Sequence, residues 1–263
     1  MDLQQFEKSI REDASSSVRQ QEIVSSSTFS TLMRKVYTWM ALALAITGFT
    51  AYYVASSPAI MQAIFSNRIL FWGLLIGELA LVWIVSASIN RLSLTTATAM
   101  FILYSVLNGV TLSFIFLAYT MTSITTVFFI TAGTFAAMSL YGYFTKTDLS
   151  KMGQIMIMAL IGLIIATIVN LFVKSSGLTM ILSYIGVLIF VGLTAWDTQK
   201  IKQMLQMASD TGEAAQKIAL MGALSIYLDF INLSSTCYVS SEAAEINTAR
   251  RVTSERIVKI LLD

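Results

Sequence analysis

The sequence predicts an all-α polytopic membrane protein with seven transmembrane helices. Of its 263 residues, 56% are hydrophobic and only 12% charged, where a soluble domain carries about 25% charged residues. The apolar residues gather in runs about 20 residues long, the length needed to cross a bilayer as a helix. Those runs do not alternate in polarity as the strands of a membrane barrel do over about 10 residues.

The runs cover residues 36–56, 69–89, 96–119, 125–144, 155–173, 179–196 and 218–233. The first six are uninterrupted by acidic residues apart from Glu78, and the seventh is shorter and contains Asp229. Residues 1–30 are rich in Ser, Gln and Glu and read as a flexible polar tail with no face to bury. Residues 31–233 form the membrane domain, and residues 234–263 an atypical polar tail. A secretory signal would place its apolar stretch nearer the start, so none is expected. Gly73 and Gly77 give helix 2 a small-residue spacing that permits close helix contact.

Lys and Arg set the orientation. With the N-terminus in the cytoplasm, Lys8, Arg11, Arg19, Arg34, Lys35, Arg91, Lys146, Lys151, Lys200, Lys202 and Lys217 lie inside, and only Arg68 and Lys174 lie in the opposite loops. Seven spans then place the C-terminus outside. Arg250, Arg251, Arg256 and Lys259 of the tail violate the bias.

Composition removes several function classes. The chain has no histidine and one cysteine, Cys237, which excludes a Ser-His-Asp triad, a His-ligated zinc and a disulfide scaffold. A net charge of +2 does not suggest nucleic acid. No nucleotide or zinc motif occurs, so no cofactor is expected. The ionisable chemistry rests on carboxylates.

A charged side chain at bilayer depth costs about 2.5 kcal/mol or more and therefore faces the bundle interior or a watered cavity. Glu78 in helix 2, Asp197 in helix 6 and Asp229 in helix 7 are such groups. Apolar spacing at Ile201, Met204, Leu205 and Ala208 extends helix 6 beyond its apolar run. Asp197 then lies roughly 16 Å from its cytoplasmic end, and Asp229 roughly 20 Å from the start of helix 7, at 1.5 Å per residue. Two carboxyls at matching depth on adjacent antiparallel helices can share one proton. Asp197 can also be read as a solvated interfacial residue beside Lys200 and Lys202. Glu78 can be read as a structural hydrogen-bonding group.

Five segments resemble the transmembrane Bax inhibitor motif family in its bacterial branch. They are "LMRKVYTWMALALAITGFTAYY" at 32–53, "LNGVTLSFIF" at 107–116, "GTFAAMSLYGYFTKTDLS" at 133–150, "LTAWDTQKI" at 193–201 and "GALSIYLDFINL" at 222–233. The resemblance implies a seven-helix bundle with helix 7 central, in a bacterial inner membrane. It implies a pH-sensitive calcium leak gated by Asp197 and Asp229, which would also meet the calcium ion in transit. In the family an arginine at the end of helix 2 latches that pair. Here Ile89 occupies the matching position, and Arg91 lies two residues on. Glu78, Arg91 and Asn232 are the further latch or pore-lining candidates. The implied partners are the lipid bilayer, calcium ions and, in an alternative reading, an AAA+ membrane protease that the protein restrains by binding. An intramembrane aspartyl protease is a remote alternative. Its Tyr-Asp and Gly-x-Gly-Asp motifs are not met, because Trp196 precedes Asp197 and Leu228 precedes Asp229. The expected protein is not an enzyme.

After "DFINL" the family usually continues with an apolar run and an arginine, whereas this chain turns polar at Ser234. One lost base explains the switch. In a suitable choice of codons, restoring a T before codon 234 turns the tail into Phe-Ile-Tyr-Leu-Leu-Arg-Leu-Leu-Arg-Ser. Resequencing the gene tests this.

Overall fold

In the computed structural model, the backbone is described for residues 3–89, 91–208 and 210–262, and the side chains for 26–89, 91–208 and 210–242. Among these residues the elements are all helical: α1 (Leu3–Ala55), α2 (Pro58–Ser66), α3 (Arg68–Ser88), α4 (Leu94–Leu112), α5 (Ile115–Ala118), α6 (Met121–Phe144), α7 (Ser150–Val173), α8 (Ser176–Gln206) and α9 (Glu213–Leu262). Seven stretches are long and apolar enough to cross a membrane: Ser26–Ala55, Arg68–Ser88, Leu94–Ala118, Met121–Phe144, Ser150–Val173, Ser176–Gln206 and Glu213–Glu242.

The helix ends follow local chemistry. Asn67 accepts from the amides of Ile69 and Leu70, Ser93 from Thr96, Thr120 from Ser123 and Ser175 from Leu178. Each cap satisfies donors that have no partner within the helix. Lys174 closes α7 in the left-handed region at φ 52°. Pro58 opens α2, where its missing N–H costs nothing; this short helix has no counterpart among the apolar runs.

Two spans differ from their expected bounds. The first starts at Ser26 rather than 36, and it cuts into the tail expected over 1–30. Thr28, Leu32 and Met33 are buried, and Phe29 stacks on Tyr143 with centroids 6.2 Å apart. The part of that tail up to residue 25 lies outside the described side chains. The last span runs to Glu242 rather than ending at Leu233. Its Ser and Thr hydroxyls turn back to their own helix: Thr236 donates to the Asn232 carbonyl, and Ser241 to that of Tyr238 at 2.8 Å. Such back-bonding satisfies the polar groups of a helix at bilayer depth within the helix itself. Tyr238 is buried against Ile115 and Val127, and its hydroxyl donates to the Ile124 carbonyl at 3.1 Å. Tyr119 donates to Glu242 at 2.9 Å. Residues beyond Glu242 lie outside the described side chains.

The last span is the central one. It packs against α8, α1, α6 and α4. The core joins its Leu220, Ala223, Tyr227 and Phe230 to Leu32, Phe101 and Leu193. Backbones approach closely where a side chain is missing. A Cβ on Gly109 of α4 would stand 2.6 Å from the Thr47 carbonyl oxygen of α1. Gly73 and Gly77 face open space instead, so the small-residue spacing of α3 makes no helix contact within the chain.

Candidate functional site

The helix pair α8 and α9 forms an antiparallel hairpin, and its turn is tied by the Gly212 amide donating to Asp210 at 2.9 Å. Asp197 and Asp229 face each other across it. Asp197 is 8% exposed and Asp229 6%, and their carboxyls lie within reach of each other. An ionised carboxylate only accepts, so a hydrogen bond between the two forms only when one of them carries a proton. Ser225, one helical turn before Asp229, donates to the Asp197 carboxylate. The second oxygen of Asp229 is buried with no protein partner.

A cavity of about 680 Å³ leads to Asp197 from the basic end of the bundle, with Asp229 buried behind it. Asp197 and Ser225 line its inner part, Ile89 and Met221 its sides, and Glu213 and Lys217 its exposed mouth. Glu213 and Lys217 pair at 3.0 Å, and Glu213 accepts from the Leu94 amide at 3.2 Å. Lys200 also lines the cavity, with its ammonium 4.9 Å from the centre of the Trp196 ring. Away from the cavity, the buried side chains of Tyr227, Phe230 and Leu233 pack α9 into the core.

The segment that carries Asp197 is held on its other sides. A Cβ on Gly142 of α6 would collide with the Ala195 carbonyl, and one on Gly153 of α7 with the Trp196 ring. Thr198 shares a 3.2 Å hydrogen bond with Ser139, which shares one of 2.7 Å with Tyr37. Gln199 accepts from the Leu149 amide and donates to the Thr147 carbonyl, both at 2.8 Å. The α6–α7 loop is thereby fastened to α8.

The structure brings together Asp197 and Asp229 and leaves the other candidates apart. Asp197 is buried beside its partner, which removes the solvated interfacial reading. Glu78 is buried on α3 and accepts from Thr111 of α4. Asn108 donates to Tyr104 at 3.0 Å on the same face of α4, and Thr47 bonds both the Ser105 carbonyl, at 2.9 Å, and Tyr227, at 2.7 Å. Glu78 therefore belongs to a separate polar layer. Arg91 is exposed just past α3, and Asn232 is exposed on the outer side of α9; neither lines the cavity described above. Ile89 does line it, and it supplies no charge. Ser225 was not singled out in the sequence, although its place one turn before Asp229 was the available signal.

Among the described residues no group of three or more Asp, Glu or Cys is gathered as a resident metal site.

Residues 29–235 match the family described as "Inhibitor of apoptosis-promoting Bax1". The chain is 51% identical over 205 residues to the inner membrane protein YbhL of Escherichia coli K12, which covers 77% of this chain and 87% of YbhL. It is 48% identical over 201 residues to a protein of Borreliella burgdorferi, covering 76% and 87%. It is 46% identical over 203 residues to the protein RP147 of Rickettsia prowazekii, covering 76% and 84%. With the match spanning the seven helices and the aspartate pair alike, this chain belongs to the Bax inhibitor family of membrane proteins.

Proposed function

We propose that the protein is a pH-responsive cation leak of a bacterial inner membrane, with calcium as the transported ion and the Asp197–Asp229 pair as its gate. The inner-membrane description of YbhL supports the location, and the gathering of Lys and Arg at one end supports a cytoplasmic N-terminus. The observation that carries the reading is the buried, close pairing of the two carboxyls, with Asp197 lining the inner part of a cavity open to that end. Calcium is bound by oxygen ligands, and ionised carboxylates are the strongest the chain has to offer. With a proton between them the two carboxyls are tied together and carry one negative charge. Loss of that proton gives two like charges in a low dielectric, which repel and present more ligand oxygens.

Calcium flux into liposomes measured across a pH series tests this. Wild-type flux changes with pH, and Asp197→Asn and Asp229→Asn each flatten the profile. An unchanged pH dependence in both variants rejects the mechanism.

A further inference from the structure

A groove of about 710 Å³ runs between α1 and α6 at the basic end of the bundle, away from the aspartate cavity. Two matched helical stripes form it. Ser30, Arg34 and Thr38 line one wall, and Ala136, Leu140 and Phe144 the other. Each stripe runs over nine residues, eight steps or about 12 Å at 1.5 Å per residue. The helices meet beside it through the Phe29–Tyr143 stack and the Tyr37–Ser139 hydrogen bond of 2.7 Å. Leu140 and Phe144 are 58% and 71% exposed, so the groove opens sideways toward the acyl chains. Arg34 is exposed beside this apolar floor. Among the described residues it has no carboxylate within ion-pair distance, the one ion pair there being Lys217–Glu213. Lys35 follows it in the chain, and Lys202 reaches the same end, donating to the Tyr143 carbonyl at 2.6 Å.

We propose that this groove holds one anionic glycerophospholipid, with an acyl chain along α6 and the phosphate on Arg34. The charge decides the occupant. An unpaired guanidinium at the membrane boundary matches a phosphate with two parallel hydrogen bonds, and basic pockets between membrane helices at the cytoplasmic face take anionic headgroups. Ser30 and Thr38 lie on the same stripe, and the Thr38 hydroxyl donates to the Arg34 carbonyl at 2.8 Å. The site is independent of the leak, because it shares no lining residue with the aspartate cavity.

Native mass spectrometry of the full chain, released from nanodiscs of equal phosphatidylglycerol and phosphatidylcholine, tests the proposal. The wild type should retain phosphatidylglycerol with a preference of about fivefold, the equivalent of about 1 kcal/mol per basic residue at the surface. Arg34→Ala should abolish the preference, and Arg34→Lys should keep part of it. Ala136→Trp, at an exposed position that does not disturb the core, should fill the groove and lower retention of both lipids. Arg68→Ala at the opposite end is the control and should change nothing. Equal retention of the two lipids by wild type, a preference that survives Arg34→Ala, or an equal loss in Arg68→Ala would each overturn the site.

Discussion

The helices α7 and α9 stand at opposite ends of one scale. None of the most apolar 18-residue stretch of α7 is buried inside the protein, whereas 67% of that of α9 is. The more apolar helix is the outer one. In water this order would be reversed, but lipid tails are as apolar as Leu and no hydrophobic force pulls α7 inward. What earns a central place here is polarity and small size: Ser225, Asp229, Gly222 and Ala223 lie on α9, while α7 shows Ile, Leu and Val to the lipid.

That contrast makes the same substitution opposite in sign at two glycines. Gly142→Ala, against the Ala195 carbonyl of the central helix pair, should cost about 3 kcal/mol, because backbone cannot yield to the added methyl. Unfolding in mixed micelles measures it, and a loss below about 1 kcal/mol would show that α8 can give way. Within the core, two hydroxyls differ. Thr47 donates to the Ser105 carbonyl, so its bond with Tyr227 must be donated by the tyrosine. Thr47→Val strands the Tyr227 hydroxyl and should cost about 1–3 kcal/mol. Tyr227→Phe removes only a donor and should cost about 0.6 kcal/mol. Equal losses in the same unfolding assay would contradict the assigned donor. Gly162→Ala on the lipid-facing α7, with nothing within 4 Å of its Cβ, should stabilise the helix by about 0.5–1 kcal/mol. The smallest effect is at the start of α7, outside the spans. Asp148 accepts from the Ser150 amide at 2.9 Å, and its hydrogen bonds with Ser150 hold its carboxyl below the ordinary value of 3.8. A depressed folded value stabilises above 3.8 and loses that contribution as the pH falls through the lower, folded value. Asp148→Ala should therefore be slightly less stable than wild type near neutrality and indistinguishable from it in strong acid. A difference that grows on acidification would reverse the sign.

The spans were legible because bilayer thickness sets run length, and the depth of Asp197 and Asp229 because helical rise is constant. Rotation about the helix axis was not legible. Asn232 lies within a turn of Asp229 yet points outward, and Glu78 meets Thr111 rather than the pair. The family resemblance supplied the latch position but not its chemistry, since Ile89 stands there. The first span starts early because Leu32 and Met33 pack against the core, although Arg34 and Lys35 interrupt the apolar pattern. The last runs late because hydroxyls that satisfy their own helix read as polar in a composition count. Beyond residue 235 the family match also ends, so the contacts of Tyr238 and Glu242 lie outside the segment the family match covers.

Gly142 and Gly153, which face α8, give the proposed gate a mechanical asymmetry. Ala195 and Trp196 are seated against Gly142 and Gly153 immediately before Asp197, so the first aspartate is fixed to a stator. Asp229 is carried by the opposing helix, where a Cβ on Gly222 would stand 3.0 Å from the Ile201 side chain rather than against a backbone carbonyl. Of these close approaches, the one on the Asp229 side is the one that a small side-chain rotation can relieve. In the proposed leak, that contact is where the hairpin can give.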